Sequence, residues 1–277
     1  MLAITDGDYT EFTRLVNQLT GIVLDGSKRY LIETRIGPML EEMHLTTYRQ
    51  LLDMVRVPGK INIQERIIDA ITTNETFFFR EPGAFDLLRR RLIPKVLDAR
   101  TLSKSREPMR IWSAACSSGQ EMYSVAISAQ ELISELSMDK ISIDGTDISE
   151  QILARASMGV FSQFEMNRGM PANLLGKYFT PVGSNFKIKD SIRAICKFNK
   201  GNLLRLPPVI TRYDVIFCRN VSIYFSPPER AVMFRNLASC LVPQGVLIVG
   251  STEQVRDCDD CLKLMTDFPG CYYYQRI

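Results

Sequence analysis

The segment Ile111-Trp-Ser-Ala-Ala-Cys-Ser-Ser-Gly-Gln-Glu121 decides the fold. An apolar run is followed by a turn of small residues, after which a helical pattern begins around Met122. This order of strand, turn and helix is typical of an α/β domain. Small residues let a ligand approach the backbone at the carboxyl end of the strand, where open α/β sheets bind their ligands. Gly119 stands alone rather than in GxGxxG, which disfavours a dinucleotide pyrophosphate site.

The alternation continues towards the C-terminus. Further strands are predicted at 141–147, 213–218, 246–249 and 270–277, the last one antiparallel, and helices at 122–136, from Ser149 and at 227–240. Such alternation predicts a parallel sheet covered by helices. Residues 177–200 interrupt it with turn signals at Gly183-Ser184 and Asp190-Ser191, so we expect a small inserted β subdomain there.

The residues before this domain have a different pattern. Apolar positions at helical spacing predict an all-helical N-terminal domain over residues 1–75. Residues 76–108 are predicted to form a linker with a basic helix, and the α/β domain occupies 109–277. The stretch 89–110 holds eight Lys and Arg residues against two acidic ones. It is a candidate for docking an acidic partner, with a solvated helix face as the alternative.

Composition excludes several classes of protein. The 277 residues are 45% hydrophobic and 23% charged, as in folded proteins. No apolar run reaches the ~18 residues of a membrane span, and the N-terminus lacks the features of a secretory signal. We therefore expect a cytoplasmic protein without membrane insertion, and a monomer. The net charge of +3 argues against a dedicated nucleic-acid binder.

Metal and histidine chemistry are also disfavoured. His44 is the single histidine, which excludes mechanisms that need a second one. Cys258 and Cys261 form a CxxC pair, but no second such pair exists, so no metal site is predicted.

Polar residues follow the predicted strands at their carboxyl ends. Asp147 ends the second strand, where a carboxylate can take both hydroxyls of a ribose; a helix N-cap is the alternative. Arg219, Asn220 and Tyr224 follow the central strand. An Asn there can hold the polar tail of a cofactor, and a Tyr hydroxyl can donate to a substrate oxygen. A half-buried core aromatic is the alternative for Tyr224.

The segment before the basic helix is unusual because three adjacent Phe residues precede Arg80. An isolated arginine after an apolar run favours a carboxylate partner. A hinge that packs two helical segments together is the alternative interpretation.

Four blocks of the sequence resemble the signature blocks of the chemotaxis receptor glutamate methyltransferases, the CheR family. They are Asn74-Glu-Thr-Phe-Phe-Phe-Arg-Glu, Ala114-Ala-Cys-Ser-Ser-Gly-Gln-Glu, Gly145-Thr-Asp-Ile-Ser and Phe217-Cys-Arg-Asn-Val-Ser-Ile-Tyr-Phe. The resemblance covers nearly the whole chain. It implies a Rossmann-like class I methyltransferase sheet with an inserted β subdomain, preceded by an all-helical domain. Gln120, Met122 and Ser222 depart from the family's usual residues, whereas Glu121 and Tyr224 match them.

The resemblance also implies an activity. The methyl donor would be S-adenosylmethionine, leaving S-adenosylhomocysteine, and the acceptors would be glutamate side chains on the cytoplasmic domains of methyl-accepting chemotaxis receptors. The product would be a glutamate methyl ester. The positions that match the family's cofactor contacts are Asn74, Thr76, Arg80, Glu121, Asp147, Asn202, Leu203, Arg219 and Asn220.

This chemistry suits the residues present. A glutamate carboxylate ordinarily has a pKa of about 4.3, so it is ionised at neutral pH and needs no general base. The site must instead remove water from the carboxylate and orient one oxygen. We predict Arg80 and Tyr224 as the catalytic residues for that orientation. Arg80 holding the methionine carboxylate of the cofactor is the alternative.

Two rival functions compete with this one. A nucleic-acid amino-methyltransferase commonly has an (Asp/Asn)-Pro-Pro-(Tyr/Phe) turn, but this chain has Arg219-Asn-Val-Ser at that place. A catalytically silent module that binds S-adenosylmethionine is the other rival. The presence of Arg80, Asp147, Asn220 and Tyr224 argues against it.

Overall fold

The computed structural model describes residues 2–132, 140–207 and 211–277. The helices in these ranges are α1 (Asp6–Thr20), α2 (Arg29–Glu42), α3 (Tyr48–Arg56), α4 (Ile61–Ile71), α5 (Pro82–Leu87), α6 (Ile93–Ser103), α7 (Gln120–Leu132), α8 (Glu150–Met158), α9 (Gln163–Asn167), α10 (Ala172–Tyr178), α11 (Asp190–Arg193) and α12 (Pro227–Cys240). The strands are β1 (Met109–Ala114), β2 (Ile141–Asp147), β3 (Val160–Ser162), β4 (Phe179–Val182), β5 (Asn185–Ile188), β6 (Cys196–Lys200), β7 (Tyr213–Cys218), β8 (Leu241–Val249), β9 (Leu262–Met265) and β10 (Tyr272–Arg276).

Helices α1 to α4 form the all-helical N-terminal domain that the sequence predicted. Their apolar faces meet in a core of their own, which includes Phe12, Ile36 and Leu51. Local sequence sets the helix ends: Thr47 begins α3 with a capping box, and α1 ends at Gly21 in the left-handed conformation. Because the core is separate, this domain is a distinct packing unit.

Polar contacts hold the N-terminal domain on the α/β domain. Asn17 donates a hydrogen bond of 2.9 Å to Glu229, and Lys200 forms an ion pair of 2.6 Å with Glu65. The hydroxyl of Ser149 donates to a carboxylate oxygen of Asp69 over 2.6 Å. The two domains are therefore joined by directional contacts, in addition to the chain connection.

The linker forms a helical segment in which a π-helical turn over Leu88–Leu92 joins α5 to α6. It begins beside Asn220, which donates to Glu81, and it reaches the opposite end of the sheet, where Arg100 pairs with Asp214 at the start of β7. Four arginines of the basic stretch form internal ion pairs: Arg89, Arg91, Arg100 and Arg110. The other four basic residues, Arg90, Lys95, Lys104 and Arg106, are exposed, so docking of an acidic partner and a solvated helix face both stay predictions.

Seven strands form the main sheet in the order β6-β2-β1-β7-β8-β10-β9. Strands β6, β2, β1, β7 and β8 are mutually parallel, and β10 runs antiparallel between β8 and β9. The predicted Rossmann-like α/β sheet and its antiparallel terminal strand are therefore confirmed. Strand β7 lies at the centre, so the residues that follow it reach the middle of the carboxyl edge.

The inserted β subdomain differs in extent from the predicted 177–200. Its sheet has the order β3-β5-β4, so it begins with Val160–Ser162, and the hairpin turn at Gly183 is where the sequence predicted it. Asp190 begins the short helix α11 rather than a second hairpin. Residues 196–200 form β6, which pairs in parallel with β2 at the edge of the main sheet. Their backbone hydrogen bonds are made with β2, which removes them from the insertion.

Helices cover both faces of the main sheet. One core includes Ile111, Ile143 and Phe217, and a second core on the other face includes Trp112 and Ile216. Neighbouring residues of β1 and β7 therefore face opposite cores, as expected for central strands buried on both sides. The helix predicted at 122–136 is observed from Gln120 to Leu132, and the rest of the prediction lies outside the described residues.

Gly83 in α5 provides a test of how tightly the linker packs. An alanine Cβ at this position would lie 2.0 Å from the carbonyl oxygen of Gly270. We expect Gly83→Ala to lower the free energy of unfolding by about 1–3 kcal/mol, because the backbone must shift. Gly176→Ala in α10 is the matched control, since nothing lies within 4 Å of its added Cβ. It should stabilise the protein by up to about 1 kcal/mol. Equal urea midpoints for the two variants would contradict this close approach.

Candidate active site

A cavity opens at the carboxyl edge of the main sheet. Its walls come from the ends of β1, β2 and β7, from the segment before α5, and from Thr20 and Ile22 of the N-terminal domain. Tyr224 lines the cavity, and so do all nine positions predicted to contact a cofactor. These nine are Asn74, Thr76, Arg80, Glu121, Asp147, Asn202, Leu203, Arg219 and Asn220. Residues from five separate parts of the sequence are thus brought to one site.

The turn after β1 forms the floor of the cavity. Ala115, Ser117 and Gly119 all have positive φ angles, of 63°, 49° and 91°. The N–H of Cys116 donates to the carbonyl of Thr146 at the end of β2 over 3.0 Å. The turn is therefore attached to the neighbouring strand, and its small residues leave room beside it.

Asp147 is held by the backbone around it. One carboxylate oxygen accepts from the N–H of Ser117 at 2.9 Å, and the other from the N–H of Ser149 at 3.1 Å. Asp147 is 7% exposed, and its burial raises the pKa of the carboxyl although these N–H groups oppose the shift. The N-cap of α8 is Ser149, whose hydroxyl accepts from Ile152, so the N-cap alternative for Asp147 is wrong.

Arg219 lies at the centre of a buried charge network, and its side chain is only 2% exposed. Its guanidinium pairs with Glu121 at 2.9 Å and with Glu81 at 3.2 Å, and it also donates to the carbonyl of Arg80. The ring of Phe85 lies 5.6 Å from the guanidinium carbon. Arg219 therefore connects the linker, helix α7 and the loop after β7.

Glu81 is a site residue that the sequence analysis missed. Its φ of 56° is left-handed, and its carboxylate accepts from the Asn220 side chain at 3.2 Å and from the N–H of Ser251 at 2.9 Å. Burial raises the pKa of Glu81, but Arg219 and these hydrogen bonds outweigh it and hold the pKa below its usual value. The signals in the sequence were its place directly after Arg80 and at the end of the first family block.

Arg80 has a different environment from Arg219. It donates to the carbonyl of Glu75 at 3.1 Å and lies 5.5 Å from the centre of the Phe77 ring. No described carboxylate lies within ion-pair distance of it, so the carboxylate partner expected from the sequence is not supplied by the described part of this chain. Arg80 therefore offers a cation to the cavity.

The neighbouring Phe residues pack against the β subdomain and α5 rather than joining two helical segments. Phe78 is fully buried and makes edge contacts with Phe161 and Phe179 of the β subdomain. Phe79 packs on Phe85, and its N–H donates to the hydroxyl of Ser124 at 3.0 Å. Phe78 and Phe79 therefore anchor the segment to the β subdomain and to α5, while Arg80 lines the cavity without a carboxylate partner among the described residues.

Tyr224 lies on a short 3₁₀ turn after β7 and is half-buried. Its carbonyl accepts from the N–H of Val23 at 2.9 Å, whereas its hydroxyl makes no hydrogen bond to any residue in the described ranges. Burial raises the pKa of the hydroxyl, although Arg80 opposes the shift. A buried core tyrosine normally has a partner for its hydroxyl, so this residue is better suited to meeting a ligand.

The remaining predicted residues contribute to the walls. The amide of Asn202 donates to the carbonyl of Leu19 at 3.2 Å and accepts from the N–H of Leu204 at 2.9 Å, which fixes the chain after β6. Leu203 is buried beside it. The carbonyl of Asn74 accepts from the hydroxyl of Ser117 at 3.2 Å.

Comparison with known proteins identifies the family. A family model described as "CheR methyltransferase, SAM binding domain" matches residues 74–268, and one described as "CheR methyltransferase, all-alpha domain" matches residues 7–72. The chain belongs to the CheR methyltransferase family. It is 34% identical over 275 residues to a chemotaxis protein methyltransferase of Vibrio anguillarum, covering 98% of each chain. It is also 30% identical over 277 residues to chemotaxis protein methyltransferase 1 of Pseudomonas aeruginosa, covering 98% of this chain and 99% of that protein.

The predicted cofactor follows from this membership: the CheR domain over residues 74–268 binds S-adenosylmethionine. No helix in the described ranges is long and apolar enough to cross a membrane. Among the same residues, no cluster of three or more His, Cys, Asp and Glu side chains could hold a metal ion.

Proposed function

We propose that this CheR-family protein transfers the methyl group of S-adenosylmethionine to glutamate carboxylates on the cytoplasmic domains of chemotaxis receptors, forming methyl esters. One observation carries the proposal. A single cavity combines a buried carboxylate, Asp147, with the Arg80 cation and the Tyr224 hydroxyl. Among the described residues, Arg80 has no carboxylate partner and the Tyr224 hydroxyl has no hydrogen-bond partner. The carboxylate suits a ribose, and the cation and hydroxyl suit an anionic acceptor.

The residues present fit S-adenosylmethionine. Each oxygen of Asp147 accepts one N–H, which leaves lone pairs for the two hydroxyls of a ribose. Leu203 and Ile148 supply apolar surface for an adenine ring. Glu121 is an anionic group for the cofactor's amino group, and Asn220 a polar one for its tail. S-adenosylmethionine supplies a methyl group on a sulfonium, which an ionised carboxylate attacks without a general base.

The residues of this chain would act on the acceptor by orientation and desolvation. Arg80 and Tyr224 lie close enough that the arginine opposes the raised pKa of the tyrosine. A guanidinium and a phenol can each donate to one carboxylate, and they replace the water that the acceptor loses. Phe77 and Ile22 add apolar walls that exclude solvent. No residue needs to take a proton in this reaction.

The alternative role for Arg80 stays open under this proposal. Its guanidinium could hold the methionine carboxylate of the cofactor rather than the acceptor. Both roles use the same guanidinium, and the Arg80→Ala variant separates them.

The activity is tested with tritiated methyl groups on the donor. We expect label to enter receptor cytoplasmic domains and to be released as methanol by mild base, because methyl esters hydrolyse readily. RNA and DNA serve as control acceptors. Base-stable label in a nucleic acid would support an amino-methyltransferase instead, and tight cofactor binding without any labelled acceptor would support the silent module.

Asp147→Asn tests the ribose assignment. The variant keeps the shape but loses the charge, so calorimetric affinity for S-adenosylmethionine and S-adenosylhomocysteine should fall by roughly 10- to 150-fold, about 1.5–3 kcal/mol. An equal loss for both indicates hydroxyl contacts, while a greater loss for the cationic donor indicates a charge effect at the sulfonium. Asp144→Asn, on the same strand but outside the cavity lining, is the matched control and should bind normally. Unchanged affinity of Asp147→Asn would exclude the assignment.

Tyr224→Phe and Arg80→Ala separate orientation from binding. Tyr224→Phe should keep cofactor affinity but lower the single-turnover rate by roughly 10- to 150-fold, the scale of one lost charged hydrogen bond. Arg80→Ala should cut kcat/KM for the receptor alone if it holds the glutamate, and weaken cofactor and product binding if it holds the methionine carboxylate. A wild-type single-turnover rate for Tyr224→Phe would show that its hydroxyl takes no part.

A further inference from the structure

Glu253 is a buried carboxylate that none of the assigned roles uses. It lies in the loop after β8 and is 2% exposed. One of its oxygens accepts from the N–H groups of Asn220 and Gly250, at 2.6 and 2.8 Å. The other accepts from the N–H groups of Val221 and Ser222, at 3.0 and 2.7 Å, and from the Ser222 hydroxyl at 2.6 Å. Five donors thus converge on one carboxylate.

Three of these donors are consecutive N–H groups of the loop after β7. Asn220 has a left-handed φ of 59°, which turns the chain so that its own N–H and the next two point to the same place. Such a concave set of N–H groups is an anion site, and here the anion is a side chain of the same protein. Glu253 takes all three of these N–H groups, so it fixes the shape of the loop.

The approach of Glu253 requires a glycine at position 250. A Cβ there would lie 2.7 Å from both the Asn220 side-chain nitrogen and a Glu253 oxygen. The absence of a side chain lets the two loops come together. The Glu253 carboxylate and its five donors form a clamp that both loops build. One loop contributes the left-handed Asn220, and the other contributes Gly250.

The clamped loop carries groups of the active site at both of its ends. Asn220 is its first clamped residue, and Tyr224 follows two residues after Ser222. Other contacts hold the same loop elsewhere: Glu81 accepts from the Asn220 side chain at 3.2 Å, and Val23 donates to the Tyr224 carbonyl at 2.9 Å. The backbone of residues 220–222 is held in place by the Glu253 carboxylate.

We propose that Glu253 is a positioning residue for methyl transfer, which acts by fixing the loop that presents Asn220 to the cofactor and Tyr224 to the acceptor. The inference rests on the proposed function, because it takes Tyr224 as the acceptor-orienting group. Glu253 itself lies behind the loop and does not line the cavity. Its effect on the reaction is transmitted through the backbone of residues 220–222.

The test is a double-mutant cycle with Tyr224→Phe. Glu253→Gln keeps the shape of the side chain but turns one oxygen into a donor, so at least two N–H groups lose their acceptor. We expect the single-turnover rate at saturating cofactor to fall by roughly 10-fold or more. In the Tyr224→Phe background, Glu253→Gln should lower the single-turnover rate by less than about 3-fold, because the hydroxyl that it would displace is already absent.

The matched control is Glu165→Gln. Glu165 also accepts from a backbone N–H and a serine hydroxyl, both of Ser162, but it does so in the β subdomain. The Glu165→Gln variant should have a lower urea midpoint and an unchanged single-turnover rate. If Glu253→Gln does not fold, Ser222→Ala removes a single hydrogen bond of the clamp and is measured in the same cycle.

Two results would overturn the inference: a folded Glu253→Gln enzyme with the wild-type rate and cofactor affinity, or rate losses that multiply fully in the double variant, as independent structural effects do. A wild-type rate for Tyr224→Phe alone would instead refute the assigned role of Tyr224. The inference would then be decided by cofactor affinity, which Glu253→Gln must weaken through Asn220 and Glu165→Gln must not.

Discussion

The active site depends on the burial of one positive charge. Arg219 is almost fully removed from water, which is costly unless carboxylates and carbonyls take its donors. Those partners come from Glu81 in the linker and Glu121 in α7, 138 and 98 residues away in sequence. Removing either partner would leave a buried charge poorly compensated. The linker, the first helix of the sheet domain and the central strand therefore have to assemble together, and the cavity forms where they meet.

The same network explains why two arginines near one cavity have opposite properties. Arg219 is neutralised by two carboxylates, whereas Arg80 meets only a carbonyl and an aromatic ring among the described residues. The Arg219 bond to the carbonyl of Arg80 fixes the backbone from which the free guanidinium extends. A cation held in this way is available to a carboxylate that arrives from outside. The buried Arg219 thus holds the backbone of Arg80 in the position from which the Arg80 guanidinium can bind a carboxylate.

Sequence patterns predicted the parts of the fold that local physics determines. Strands β1 and β7 were found because apolar runs mark strands buried on both faces. Strand β2 has only Ile141 and Ile143 as apolar side chains, and its burial alternates along the strand. The edge strand β6 was assigned to the insertion, since three of its residues 197–200 are polar and exposed, and only pairing with β2 defines it. The four family blocks contain seven of the nine predicted cofactor positions, all but Asn202 and Leu203, and all nine line the cavity. The roles of Glu81 and Glu253 were not predicted, because their partners are distant in sequence. The spacing of apolar residues along the chain gives no information about such contacts.

The N-terminal domain contributes directly to the wall of the active site. Ile22 forms a β-bridge with Phe225, and Val23 donates to the carbonyl of Tyr224, so this domain completes the wall beside the proposed acceptor-orienting tyrosine. Gly21 allows that approach, because a Cβ there would lie 2.2 Å from the Leu204 side chain. A partner that pulls on this domain would also move the backbone of Tyr224. The position of this domain is therefore coupled to the position of Tyr224 through the bridge and the backbone hydrogen bond, in addition to the polar contacts between the two domains.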